Sequence, residues 1–174
     1  ADKGYKSAGE DRMVGMFKHC NFCLNPRASS IDTPLHSMID EKHVDHLHPN
    51  AVISVASCKA QKELTELIWG GKLAYVPWMR PGWEAAKLCE DTYAASPDIW
   101  GILLGQHGHT NWSSESKSCY ETSLWVIETA ARYIEEHYKG EMTFGGQKYQ
   151  SLDDAARTDL LKDFLPVARG LLSN

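Results

Sequence analysis

The apolar residues Tyr120, Leu124, Ile127, Ala131, Ile134 and Tyr138 recur at steps of four and three, the period of an α-helix with one buried stripe. This is the strongest local constraint in the chain. A helix of that length is held mainly by laying its stripe against another layer of structure. Gly140 and the "FGGQ" segment close it. Three runs read as strands: "HVDHLH", ended by Pro49; "LAYVPW"; and "DIWGILLGQHG", an apolar run that ends at glycine and histidine. Helical patterns alternate with them. Met13, Met16, Phe17 and Cys20 keep helical spacing until "NPRASS" breaks it, and "DTPLHSMI" begins a short helix with Asp32 or Thr33 as cap and Pro34 in the first turn. "QKELTELIW" is stopped by Gly70 and Gly71, and Trp83 to Ala95 is helical after the Pro81–Gly82 turn. In a last helix, capped at Ser151 and interrupted at Pro166, Leu152, Ala156, Leu160 and Phe164 share a face. "AVISVAS" fits either period. The alternation predicts one α/β domain over residues 1–174.

Composition narrows the function classes. Net charge is −5, and the 18 lysines and arginines are scattered rather than clustered, which argues against a nucleic-acid or anionic-membrane surface. No apolar run reaches bilayer length, and the first residues carry no apolar secretion signal. An odd count of 5 cysteines at irregular spacing fits reduced thiols in a cytoplasm. Cys20 and Cys23 form one C-x-x-C with no second pair to complete a zinc knuckle, and are read as buried thiols near a helix end.

The chemistry-bearing residues gather in three places. In "KHVDHLHPNAV", side chains alternate along a strand, so His46 and His48 project together while His43 and Asp45 point the other way. An H-x-H pair on a stiff strand suits two imidazole ligands of one divalent ion, and serves equally as the decoration of an exposed edge. "LLGQHGHT" supplies a third candidate, His107, where an apolar strand ends between Gly105 and Gly108. Zinc accepts three imidazoles and leaves a position open for water or substrate. The third place is "ASSIDTPLH". Ser29 and Ser30 offer hydroxyl and backbone donors ahead of a helix, where a phosphate binds or ordinary capping occurs. Asp32 is there either a carboxylate near the metal or the cap.

Together, "ASSIDTPLH", "HVDHLHPNAV", "LAYVPWMRPGWE" and "GILLGQHGHTNWSSESKSCYETSLWVIETAARYI", in this order, resemble the class II aldolase/adducin family. The likeness is strongest to the aldolase part of bifunctional rhamnulose-1-phosphate aldolase/alcohol dehydrogenases. It implies a three-layer α/β/α domain with a mainly antiparallel central sheet. It also implies metal-dependent retro-aldol cleavage of a ketose 1-phosphate to dihydroxyacetone phosphate and a hydroxyaldehyde. His46, His48 and His107 would hold zinc or another divalent transition metal, Asp32 would handle the proton, and Ser29 and Ser30 would hold the substrate phosphate. His36, His43 and His109 are candidates to support the ligands from behind; His109 stands where relatives carry an apolar residue. The resemblance further implies a homo-oligomer, a tetramer in the family, working in the cytoplasm on a small phosphorylated sugar. The family's upstream glycine-rich phosphate segments have no counterpart before Ser29, so the chain reads as a fragment lacking them. Two other functions share these features: a non-catalytic adducin-like module or inactive fragment, and a pentulose-phosphate epimerase or decarboxylase using the same three ligands.

Overall fold

The computed structural model describes residues 7–22, 27 and 29–173. Two compact units appear, Ala1–Glu136 and His137–Asn174, where the sequence reading treats residues 1–174 as one domain. The first unit runs α1 (Ser7–Phe17), α2 (Thr33–Met38), β1 (His43–Leu47), α3 (Asn50–Ala56), α4 (Gln61–Trp69), β2 (Leu73–Val76), α5 (Trp83–Ala95), β3 (Gly101–Leu104), β4 (Gly108–Ser113) and α6 (Ser116–Glu136). Its sheet has 4 strands in the order β1-β4-β3-β2. β1 and β3 flank β4 antiparallel, and β2 joins β3 parallel. The mixed sheet is thus mainly antiparallel, as expected.

Strand alternation divides the core between two faces. Ile102 and Leu104 pack with Val76 and Trp112 against Leu35 and Ile39 of the α2 segment and Ala86 and Cys89 of α5. Leu103, between them, packs on the opposite face with Leu73, Val52 and Val55 of α3, Trp69 of α4 and Val126 and Ala130 of α6. The result is helix, sheet, helix in three layers. β3 is buried on both sides, which is why it reads as an unbroken apolar run.

"AVISVAS" resolves to a helix, α3, and the other helices of this unit fall close to their expected spans. β4 was not anticipated. Its His109, Thr110 and Asn111 are polar yet fully buried, so neither hydrophobicity nor alternation marks it. The long helix is present, but its buried face is displaced. Tyr120 (61% exposed) and Leu124 (38%) face outward, Ala131 is also exposed, and Tyr138 lies beyond the helix. The buried stripe is instead Cys119, Ser123, Val126 and Ala130, flanked by Ile127 and Ile134. The physical reason is hydrogen bonding at close range. Ser123 Oγ lies 2.7 Å from Asp45 Oδ2 of β1 and 3.0 Å from Asn111 Oδ1 of β4. Asn111 Nδ2 donates to the Cys119 carbonyl at 2.9 Å. Small residues let α6 approach the strands closely enough for these bonds, and larger apolar residues would hold it off.

The second unit holds a 3₁₀ turn at Gly140–Phe144 and α7 (Asp154–Leu172). The cap is Asp153, whose side chain accepts from the Ala156 N–H at 2.8 Å, rather than Ser151. The helix continues through Pro166. Leu152, Leu160 and Phe164 of the expected shared face are all exposed. Cys20 is exposed, contrary to expectation, while Cys23 lies outside the described residues. Among the described residues no helix is long and apolar enough to cross a membrane.

The displaced stripe is directly testable. Ser123→Ala leaves the Asp45 and Asn111 oxygens short of a donor and should cost about 1–3 kcal/mol. Tyr120→Ala, on the exposed side, should stay within about 0.5 kcal/mol. Urea unfolding of both variants checks this, and the reverse ranking would restore the Tyr120 stripe.

Candidate metal centre

Pairing of β1 with β4 builds the centre. His46 lies opposite Thr110 and Leu47 opposite His109, so the end of β1 meets the turn that joins β3 to β4. That turn, Gly105-Gln106-His107, is tied down on both sides. Gly105 N–H donates to the Val76 carbonyl at 2.9 Å, and Gln106 N–H to the Ala56 carbonyl at 2.8 Å. Gln106 holds φ at 57°, a conformation uncommon for a residue with a side chain. Gly108 is required by proximity. A Cβ there would run into the Leu47 carbonyl oxygen and lie 2.8 Å from Cδ2 of His48.

One ligand atom from each of His46, His48 and His107 falls within a 4.8 Å span. The ring centroids form a near-equilateral triangle, at 4.7, 4.9 and 4.6 Å. Nε2 of His46 and Nε2 of His48 are 3.0 Å apart, against about 3.3 Å for two nitrogens on a tetrahedral ion with zinc–nitrogen bonds of 2.0–2.1 Å. The donor set therefore fits zinc or a similar divalent ion. His46 is also oriented from behind. Its Nδ1 lies 3.1 Å from the His109 backbone carbonyl. A carbonyl only accepts, so neutral His46 keeps its proton on Nδ1 and turns a bare Nε2 to the centre.

Asp32 occupies the N-cap position of α2 but makes no side-chain cap bond. Its Oδ2 accepts from Ser30 Oγ at 3.0 Å and lies 4.0 Å from His46 Nε2. Its side chain therefore turns toward His46 and away from the open N–H groups of α2. Ser30 Oγ also accepts from the Asp32 N–H at 3.1 Å, while Ser29 Oγ donates to Asn21 Oδ1 at 3.4 Å. His36 is exposed, its ring 6.3 Å from that of His46. His43 sits at the far end of β1 opposite Ser113, on the Asp45 side of the strand, and its carbonyl accepts from Cys119 Sγ at 3.5 Å.

His109 reaches the centre only through its carbonyl. Its ring is fully buried on the same side of β4 as Asn111, whose amide groups are committed to Cys119 and Ser123. Neither His109 ring nitrogen has a partner of full hydrogen-bond geometry among the described residues, and the nearby Asn111 side chain only partly offsets the effect of burial on the ring. The orienting carbonyl has no signature in side-chain identity; only the pairing of β1 with β4 exposes it. Gln106 also escaped the sequence reading, since glycine is the usual signal for its backbone angle.

Burial sets the electrostatics. The His46 pKa falls from 6.5 to about 4, first because burial penalises the charged ring; Asp32 and the His109 carbonyl pull it partly back. His107 is lowered by burial and then by His48. His109 falls to about 4, again chiefly by burial. The imidazoles of His46 and His107 are thus neutral and able to ligate at neutral pH. The buried Cys89 and Cys119 thiols are pushed up to about 12 and about 11, mainly by desolvation, so they stay protonated.

Two outcomes follow for the metal-free protein. His46 and His109 have folded-state pKa values below the unfolded one. The unfolded chain therefore binds more protons between the two values, and stability present above pH about 6.5 is lost as pH falls toward about 4. Urea unfolding at pH 7 and pH 5 should show the drop, and equal stabilities would contradict the buried neutral rings. Gly108→Ala should cost about 1–3 kcal/mol by overpacking, with zinc affinity, measured by competition with a chelating dye, weakened alongside; an unaltered affinity would separate the turn from the centre.

Comparison with known proteins agrees with this architecture. Residues 7–134 match the Class II Aldolase and Adducin N-terminal domain, a span inside the first unit. The chain is 34% identical over 164 residues to the uncharacterized oxidoreductase YuxG of Bacillus subtilis (strain 168); the match takes in 94% of this chain and only 24% of that protein. The N-terminal class II aldolase domain of a conserved protein from Thermoplasma acidophilum shares the fold, with a TM-score of 0.65 at 24% identity over 72% of this chain and 57% of that one. With the family match extending over residues 7–134 of 174, the chain belongs to the class II aldolase/adducin family.

Proposed function

We propose that the protein is a metal-dependent aldolase that cleaves a ketose 1-phosphate, of the rhamnulose 1-phosphate kind, to dihydroxyacetone phosphate and a hydroxyaldehyde. The observation that carries this reading is the convergence of three imidazole ligand atoms within 4.8 Å beside a carboxylate 4.0 Å from one of them. Family membership supports it. The name oxidoreductase belongs to a relative about four times as long, of which this chain matches 24%, and the ligand set here suits polarisation of oxygens rather than hydride transfer.

His46, His48 and His107 would hold the ion. When bound, it would polarise the ketose carbonyl and adjacent hydroxyl as a Lewis acid. Asp32 would take the proton from the hydroxyl on the carbon that becomes the aldehyde. As the carbon–carbon bond breaks, its electrons pass toward the carbonyl, and a proton returned to the neighbouring carbon completes dihydroxyacetone phosphate. Ser30 Oγ donates to Asp32 Oδ2 at 3.0 Å, a bond its hydroxyl would exchange for the phosphate on binding. Ser29 and Ser30 would receive the phosphate by family resemblance, and assembly into a homo-oligomer is part of the same proposal.

The zinc-loaded protein should release dihydroxyacetone phosphate from rhamnulose 1-phosphate, detected with a coupled reductase. His46→Ala and His107→Ala should lose both metal and turnover. Asp32→Asn should keep metal and lose about 10²–10⁴ in kcat. A folded, zinc-loaded protein that leaves the sugar intact would favour a binding module of the adducin type, and isomerised but uncleaved pentulose phosphate would favour an epimerase.

A further inference from the structure

A second cleft opens at the other end of the sheet in the first unit. The metal centre lies where Leu47 meets His109, whereas this cleft lies by the His43–Ser113 pair, about 13 Å away along the strands. It is lined by Trp112 and Ser113 of β4, Ile99 and Trp100 just before β3, Glu41 before β1 and Thr122 of α6. Its volume is about 370 Å³, within the range of small-ligand sites. Each indole is steadied by a ring outside the cleft. Tyr93 meets Trp112 edge-on with centroids 5.1 Å apart, and Trp125 meets Trp100 at 5.2 Å. Trp100 still keeps 44% of its surface exposed. Its ring already attracts one cation, the Lys72 ammonium, 4.8 Å from the centroid, although Lys72 does not line the cleft. Among the described lining residues Glu41 alone is charged, and no hydrogen bond or ion pair among the described residues engages its carboxylate. The nearby hydroxyls are engaged locally: Thr122 Oγ1 donates to the Ser118 carbonyl at 2.9 Å, and Ser113 Oγ accepts from the Glu115 N–H at 3.3 Å. The Tyr93 pKa is raised, first by burial and then by Glu41 and Asp40, so two carboxylates act on this aromatic corner.

We propose that this cleft binds an alkylated ammonium ion, held against Trp100 and Trp112 with Glu41 as its counter-charge. The lining selects that chemistry. An anion would face Glu41 with no lysine or arginine in the walls. A metal ion needs about four to six ligands, and the Glu41 carboxylate brings only its own two oxygens. A neutral polyol would gain nothing from the charge of Glu41. An alkylated ammonium ion uses every feature at once. Its methyl groups rest on the indoles, the electron-rich ring faces attract its charge, and the carboxylate compensates that charge at close range. Such a cation forms no hydrogen bonds through its methyl groups, so it loses nothing where the local hydroxyls are already engaged. The cleft and the metal centre stand at opposite ends of β1 and β4, and this assignment is independent of the aldolase reading above.

The test uses the full chain with choline as the probe and 3,3-dimethylbutan-1-ol, which has the same shape without the charge, as the control. Each is titrated in while the indole N–H signals of the 6 tryptophans are followed by NMR, with Trp100→Leu and Trp112→Phe assigning the two that matter. Choline should move the Trp100 and Trp112 signals saturably, with a Kd near about 1 mM for two ring contacts and one ion pair. The neutral alcohol should bind about 10-fold more weakly or worse. Glu41→Gln, which keeps the shape and removes the charge, should weaken choline about 3- to 5-fold and leave the alcohol unchanged. Trp100→Leu should weaken choline about 3- to 30-fold; should that variant fail to fold, Glu41→Gln decides the matter. No saturable shift at these two indoles, equal binding of choline and the alcohol, or a choline affinity unchanged in Glu41→Gln would each overturn the proposal and make the cleft a surface depression.

Discussion

The antiparallel register between β1 and β4 determines most of what this chain can do. It sets Leu47 opposite His109, bringing the end of β1 against the turn that carries His107, and it delivers the His109 carbonyl to His46 Nδ1 across 63 positions of sequence. A slip of one residue would turn His46 to the opposite face of the sheet and Asp45 toward the metal centre. The register is protected by bonds that only the observed pairing satisfies. Asp45 and Asn111 face each other and share Ser123 of α6, while Thr110 Oγ1 donates to the Asp45 carbonyl at 2.9 Å.

The two faces of the sheet therefore divide the labour. On the α6 side, buried polar side chains fix the strands through a hydrogen-bonded set with few alternatives, since each unmade bond in a dry interior is costly. On the α2 and α5 side, packing is apolar and stops short of the strand ends, leaving His107 and Asp32 at the border of a small apolar space. Burial lowers the His46 and His107 pKa values, which favours the neutral rings. The turn at Gly105–Gly108 connects the two halves, and it does so with little slack on either side of its backbone.

Much of this was legible in the residues themselves. The H-x-H spacing and strand alternation separated His46 and His48 from His43 and Asp45, and the structure keeps that separation. The glycines around His107 signalled a close backbone approach, and Gly108 meets it at the Leu47 carbonyl. What failed to show has a common cause. β4 and the true buried face of α6 are built from His109, Thr110, Asn111, Cys119 and Ser123, which are buried because they bond to one another rather than because they are apolar. Hydrophobic periodicity cannot register such a set, and it marks Tyr120 and Leu124 instead. Asp32 was ambiguous for a different reason. The same residue type caps helices and serves metal sites, and the missing cap bond and the 4.0 Å distance to His46 are visible only in three dimensions.

In the proposed centre three imidazoles from two distant segments, those of His46, His48 and His107, share one divalent ion. X-ray absorption at the zinc edge of the reconstituted protein tests it most directly. Three histidine nitrogens at about 2.0–2.1 Å, completed by a light oxygen ligand and with no sulfur in the shell, are the predicted result. A shell with fewer than three imidazoles, or with a sulfur near about 2.3 Å, would contradict it.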